Sequence, residues 1–139
     1  MQKGARAIIL RNGKMLLGKR LKADSFYGQW CTFGGLSKTG EAAEATLRRE
    51  LHEELGISVL NPRFIAVVEC KLPEKREKLQ QHFYVVKHWK GKITNKAEHM
   101  EIKWFALDEL KRLSLGRVLR RVIENNFKDF LSHNPLSNQ

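Results

Sequence analysis

Gly35-Leu-Ser-Lys-Thr-Gly-Glu41-Ala-Ala-Glu-Ala-Thr-Leu-Arg-Arg49-Glu50-Leu-His-Glu53-Glu54-Leu-Gly-Ile57 is the stretch on which the reading of this chain turns. It predicts a helix. Thr39 or Gly40 can cap its start, and Glu41 falls in a first turn where the helix dipole favours negative charge. Gly56 suits a left-handed C-terminal cap. Leu47, Leu51 and Leu55 form an apolar stripe. Glu50, Glu53 and Glu54 stand at i, i+3 and i+4, on one face beside that stripe. Like charges so placed destabilise a helix by a few tenths of a kcal/mol per pair, roughly. They also crowd the end where the dipole disfavours anions. A hard cation reverses that sign, because Mg²⁺ takes oxygen ligands and keeps waters that a phosphate can displace. On acid clustering alone, a solvated helix with Arg48 and Arg49 as partners stays open.

Outward from the helix, the N-terminal side reads as β-structure. Gly4 to Leu10 alternates small and apolar residues. Arg11-Asn12-Gly13-Lys14 is a hairpin turn, since Asn-Gly takes positive φ readily. Met15 to Arg20 returns as a strand. Leu21 to Gln29 reads as a loop, and Trp30 to Phe33 as a short strand ending at Gly34-Gly35. On the C-terminal side, Ile57 to Leu60 and Phe64 to Glu69 are strands around Asn61-Pro62. Lys71 to Gln80 is a charged connection, His82 to Trp89 a strand, Lys90 to Lys92 a turn and Glu101 to Ala106 a strand. Asp108 can cap a short helix through Leu113. After Gly116, Val118, Leu119, Val122, Ile123, Phe127, Phe130 and Leu131 recur at helical spacing. Strands with two or three helices in so short a chain indicate one domain of α/β or α+β layers, residues 1–131, with a frayed tail over 132–139.

The 139 residues carry a net charge of +11, and five of the fifteen acidic residues lie between Glu41 and Glu54. The rest of the surface is therefore basic and attracts polyanions such as nucleotides or RNA. No apolar run approaches the ~20 residues of a membrane span, which argues against a membrane partner. The N-terminus reads as strand and turn rather than as a signal peptide. Cys31 and Cys70 belong to no CxxC or Cys/His cluster. A zinc site is not expected, and two reduced thiols fit a cytoplasmic protein.

Gly35, five residues, Glu41, seven residues, then Arg49-Glu50-Leu51-His52-Glu53-Glu54-Leu55-Gly56-Ile57 fills every fixed position of the Nudix signature. The chain resembles the Nudix hydrolase family, with a MutT-like layout, and the flanking hairpin, Arg20, Trp30 and Glu98 extend the resemblance over nearly the whole domain. The resemblance implies an α/β/α sandwich around a mixed β-sheet. It also implies hydrolysis of a nucleoside diphosphate linked to a group X, with Mg²⁺ or sometimes Mn²⁺. Position by position, it makes Glu50, Glu53 and Glu54 the metal carboxylates and the Gly34 carbonyl a further ligand. Glu41 supports the metal site. Arg49 pairs with the carboxylates and orients them. The general base stays open between Glu98 and a box glutamate, of which Glu53 is preferred. Arg20 matches a phosphate contact in triphosphate-cleaving relatives. Phe33 stands where relatives often have proline, so that loop loses a φ restraint but no ligand.

Phe26, Tyr27 and Trp30 are candidates for a base-stacking wall or for ordinary packing. Trp104 is expected in the core and His82 in a structural role. Lys71, Lys75, Arg76 and Lys78 read as a solvated basic connection, and Lys111 to Arg121 as a basic rim around a packed helix. Three functions follow. The first is a pyrophosphohydrolase of (deoxy)nucleoside triphosphates that clears damaged nucleotides. The second is an RNA 5′-end pyrophosphohydrolase. The third is a non-catalytic nucleotide- or partner-binding module. The oligomeric expectation is a monomer or homodimer.

Overall fold

The structure is a computed structural model and describes residues 1–21, 28–71, 77–97 and 100–132. Strand β1 (Gln2–Arg11) and strand β2 (Lys14–Arg20) are joined by the Asn12-Gly13 turn, where both residues take positive φ (52° and 74°). That is the mirror-image turn whose twist suits a hairpin. The two strands pair only near the turn, at Ile9 to Arg11 with Lys14 to Leu16. Beyond it they part. Strand β3 (Trp30–Cys31) pairs with β2 at Gly18 and Lys19, and strand β4 (Phe33–Leu36) pairs with β1 from Gly4 to Ala7. Residues 30–36 thus fill the fork of the hairpin. The expected single short strand is two, and the glycine pair lies within β4 rather than after it, because Gly34 and Gly35 pair with Arg6 and Ala5.

The far edges of the fork complete the sheet. Strand β9 (Met100–Ala106) runs antiparallel along β2, and strand β7 (Lys78–Val86) runs parallel to β1 from Gln2 to Ile9. Strand β6 (Arg63–Lys71) pairs antiparallel with β7, giving a seven-stranded mixed sheet. Strands β5 (Ser58–Leu60) and β8 (His88–Lys90) form a separate pair. The charged connection over 71–80 is shorter than expected: Lys71 and Lys78 are already paired, and the remainder, with Lys75 and Arg76, lies outside the described residues.

Side chains alternate across a strand, so β1 serves two cores at once. Ala5, Ala7 and Ile9 face helix α1 (Ala43–Leu55), where Leu47, Leu51 and Leu55 are fully buried. Ile8 and Leu10 face helix α2 (Arg117–Ser132), which contributes Leu119, Val122, Ile123 and Phe130. Burial of each such side chain stabilises the fold by about 1.5–3 kcal/mol. The result is the expected α/β/α sandwich. Trp104 packs partly buried on the α1 side, with Arg11 over its ring and over Trp89. His82 packs against Phe64 (ring centroids 6.0 Å apart).

Two helix starts differ from expectation. Helix α1 begins at Ala43, and Ala42 at its N-cap makes no side-chain bond, so neither Thr39 nor Gly40 caps it. Glu44, not Glu41, stands in the first turn. Glu41 is held outside the helix because its carboxylate accepts the Lys38 N–H (3.0 Å) and two N–H groups of Arg49. Asp108 lies inside a 3₁₀ segment, Leu107–Arg112, rather than capping it. There the Glu109 carboxylate accepts the Ala106 N–H at 2.8 Å. The C-terminus of α1 is as expected: Gly56 is left-handed (φ 71°, ψ 21°) and its N–H bonds the His52 carbonyl.

Candidate active site

The site forms where α1 ends beside the glycine strand. Gly34 has φ 151°, and a Cβ there would lie 2.0 Å from the Ala5 carbonyl oxygen. A Cβ on Gly35 would lie 2.5 Å from the Glu50 carboxylate. The strand is therefore clamped between β1 and the acidic face of α1, and only glycine fits both positions. The Gly34 N–H points at Glu54 Oε1 (3.4 Å).

Arg49 ties the acids together. Its Nε and Nη2 donate to both oxygens of Glu41 (2.9 Å each) and its Nη1 to Glu50 Oε1 (2.9 Å). A fourth bond reaches the Leu36 carbonyl (3.1 Å), and Glu53 lies 3.6 Å from Nη1. This fork holds the Glu41 carboxyl well below the usual carboxylate range, with the Lys38 N–H assisting, and raises Arg49 in turn. Thr46, fully buried, also donates to Glu41 (2.8 Å).

The three box glutamates are not equivalent. Glu50 and Glu54 converge: burial first, then the hydrogen bond with Glu50, pushes the Glu54 carboxyl up to about 8. Glu53 stands apart, with 56% of its side chain exposed against 17% for Glu50. Among the described residues no three acidic or histidine side chains already close on a common point. The donors nonetheless fit a hard divalent cation: the Glu50 and Glu54 carboxylates converge, that of Glu53 stands nearby, and all are oxygen ligands. The last carbonyls of α1 are satisfied by the segment after β8, through Lys96 N–H to Glu54 O (2.8 Å) and Thr94 N–H to Leu55 O (2.9 Å).

A cleft of about 480 Å³ opens from this acidic corner, between the sheet and the start of α2. Glu54 and Gly34 line one end, and Arg20, Trp30, Phe83 and Leu119 line the rest. Trp30 is braced edge-on against Phe105 (centroids 4.7 Å apart), so it both packs and walls the cleft. The loop after β2 is pinched at its base by reciprocal backbone bonds between Arg20 and residues Gly28 and Gln29. Phe26, Tyr27 and Glu98, expected at the site, lie outside the described residues.

Sequence reasoning passed over Arg6. It sits mid-strand among fully buried Ala5, Ala7 and Ile8, and lines the cleft. Its Nε donates to Thr32 Oγ1 (3.1 Å) and its Nη2 to the Thr32 carbonyl. Burial lowers its pKa, opposed chiefly by Glu54. A lone cation in an otherwise apolar alternation was the available signal.

Comparison with known proteins gives a consistent outcome. A NUDIX domain model matches residues 1–125. An 8-oxo-dGTP diphosphatase of Buchnera aphidicola subsp. Schizaphis graminum is 32% identical over 104 residues, covering 75% of this chain and 76% of that protein. An oxidized purine nucleoside triphosphate hydrolase of Danio rerio is 29% identical, with 74% of this chain and 65% of the relative covered. An NAD-capped RNA hydrolase NudC of Mannheimia succiniciproducens is 29% identical over 91% of this chain but 48% of its own length. Among solved structures, a MutT NUDIX hydrolase from Burkholderia pseudomallei superposes with a TM-score of 0.78 at 30% identity, covering 88% of this chain and 95% of that one.

Proposed function

Because the chain belongs to the NUDIX family, we propose that it is a divalent-cation-dependent pyrophosphohydrolase that cleaves (deoxy)nucleoside triphosphates to the monophosphate and pyrophosphate, and so removes damaged nucleotides. The observation that carries this reading is the continuity of the cleft with the acidic corner: Glu54 and Gly34 belong to both. The diphosphate then lies at the acidic end and the nucleoside in the aromatic-walled end. The names of the Buchnera and Danio relatives point to the same substrate class.

Glu50, Glu53, Glu54 and the Gly34 carbonyl would hold the cation, Mg²⁺ or Mn²⁺, which supplies charge neutralisation at the phosphate oxygens. Arg49 keeps Glu41 and Glu50 in place, so the acid cluster is oriented before a cation arrives. Water attacks a phosphorus of the anhydride, a P–O bond forms, the bridging P–O bond breaks, and the proton passes to a carboxylate. Glu53 suits that last role, being the box glutamate most open to solvent. Glu98 is the other candidate. Arg20 lines the cleft wall and would meet a phosphate of the substrate there. We read the protein as working in the cytoplasm, as a monomer or homodimer; Cys31 and Cys70 form no disulfide among the described residues, which is in keeping with that compartment. Among the described residues no helix is long and apolar enough to cross a membrane.

The test is a substrate panel with product identification, run with and without Mg²⁺: normal and oxidised nucleoside triphosphates, nucleotide sugars and dinucleoside polyphosphates. Pyrophosphate release from triphosphates supports the reading, and no release from any of them ends it. RNA 5′ ends are the second substrate to try, favoured by the net charge of +11 and by the NudC relative. Turnover of capped or triphosphorylated RNA should then fall steeply with salt.

A further inference from the structure

Arg6 is a cation in the middle of β1, and stability alone does not account for it. Further along the same face of the strand, Ile8 and Leu10 are buried apolar residues. Replacing a buried ion by an apolar side chain of similar size is often neutral or stabilising. The guanidinium is fixed by two neutral oxygens: Nε donates to Thr32 Oγ1 (3.1 Å) and Nη2 to the Thr32 carbonyl. Thr32 is itself buried. Arginine has five N–H donors, of which these bonds use two. Among the described residues no carboxylate closes an ion pair with Arg6. The charged groups that bear on it are Glu54, the Cys31 thiol and Glu50, with Arg20 opposing them.

Register sets its place. Arg6 is the direct partner of Gly34 in the antiparallel β1–β4 pair, and the Gly34 N–H points at Glu54 Oε1 (3.4 Å). Arg6, Gly34 and Glu54 all line the cleft, so Arg6 stands where the acidic corner opens into it. Without a cation, the negative charge of Glu54 and Glu50 offsets the guanidinium. A divalent cation on those carboxylates cancels the offset and adds a repulsion, which a partly buried site screens less than water does. An anion that enters with the cation restores the balance. We propose that Arg6 is a second ligand for the phosphate that the cation holds. The guanidinium donates to a non-bridging oxygen from the cleft side, and the cation meets the same phosphate from the side of Glu50 and Glu54. This rests on the cation-dependent reading of the corner. Arg6 then acts in opposite directions on two ligands. It weakens binding of the cation alone, and it strengthens binding of phosphate to the cation-loaded protein. Removal of a residue that only supports the fold would weaken both.

The experiment is a pair of calorimetric titrations on the wild type, Arg6→Met and Arg6→Lys. Mn²⁺ is titrated into the metal-free protein, and methylenediphosphonate, whose P–C–P bridge resists hydrolysis, into protein saturated with Mn²⁺. Arg6→Met should bind Mn²⁺ at least about threefold more tightly and methylenediphosphonate roughly ten- to hundredfold more weakly. Arg6→Lys keeps the charge and loses the fork. It should leave Mn²⁺ affinity near that of the wild type and lose part of the phosphonate affinity. A folded Arg6→Met protein that binds both ligands more weakly overturns the proposal, as does one whose phosphonate affinity is unchanged. If Arg6→Met does not fold, Arg6→Lys decides, and full phosphonate affinity in it overturns the proposal. Neither probe is turned over. A triphosphate panel that shows no hydrolysis, with the two opposite effects intact, would therefore remove the hydrolase reading and leave the phosphate site standing.

Discussion

Glu41 anchors the hydrogen-bond network of the acidic corner. It receives both arms of the Arg49 fork, and Arg49 in turn fixes Glu50. Glu41→Gln should weaken Mn²⁺ binding roughly ten- to hundredfold, measured by calorimetric titration, while Glu44→Gln on the outer face should not. Glu53→Gln should cut kcat by roughly two to four orders of magnitude. Because that side chain is half exposed, the thermal midpoint should barely move. Glu54 adds a pH signature. Its carboxyl is raised from 4.5 to about 8, chiefly by burial, so the folded protein holds this proton more tightly than the unfolded chain. Without a divalent cation, the associated stability is complete below about pH 4.5 and is lost as pH rises to about 8. A cation takes the deprotonated form, so the gain in melting temperature from added Mg²⁺ should grow across the same window. A gain independent of pH between 5 and 8.5 would contradict the raised carboxyl of Glu54. At this scale the fixed spacing made Glu50, Glu53, Glu54 and Arg49 legible. Arg6 was not, because what surrounds it is set by its register with β7, a strand that begins only at Lys78.

At the scale of elements, local chemistry was readable and tertiary competition was not. Asn12-Gly13 fixes a hairpin through its own φ preferences, and Gly56 ends α1 in the same way. The start of α1 could not be read from caps, because Glu41 is drawn off by Arg49, which lies two turns further along the helix. The splitting of residues 30–36 between β2 and β1 as partners was equally hidden, since it depends on the hairpin opening to receive them. The clamp on Gly34 makes a sharp prediction. Gly34→Ala would force a methyl against the Ala5 carbonyl, and urea unfolding should show a loss of more than about 2 kcal/mol. The turn at Gly40, with open space around its missing side chain, should tolerate alanine with a loss of about 1 kcal/mol, due to its positive φ alone.

For the whole molecule, the decisive fact is that one central strand supplies two cores. Helix α1, which carries the acidic corner, belongs to one, while helix α2 and Trp30 of the cleft wall belong to the other. Leu51→Ala and Ile123→Ala should each destabilise by about 2–5 kcal/mol. With the sheet between them, their effects should add to within about 0.5 kcal/mol in the double variant. A large interaction energy from denaturant titration would show that the layers are not independent. The layered class was legible from alternation and helical periodicity. Which helix covers which face was not, as both faces of β1 are apolar.

Strand β1 has one further consequence, for the growing chain. Its neighbours on one edge come from residues 14–36, whereas its parallel partner begins at Lys78. During translation the acidic helix leaves the ribosome well before that partner exists. Until then one edge of the innermost strand has no ladder to join, and Arg6 has no Phe83 or Gln81 beside it. The acidic corner can take shape early, while the stretch of cleft that β7 lines must await a late arrival.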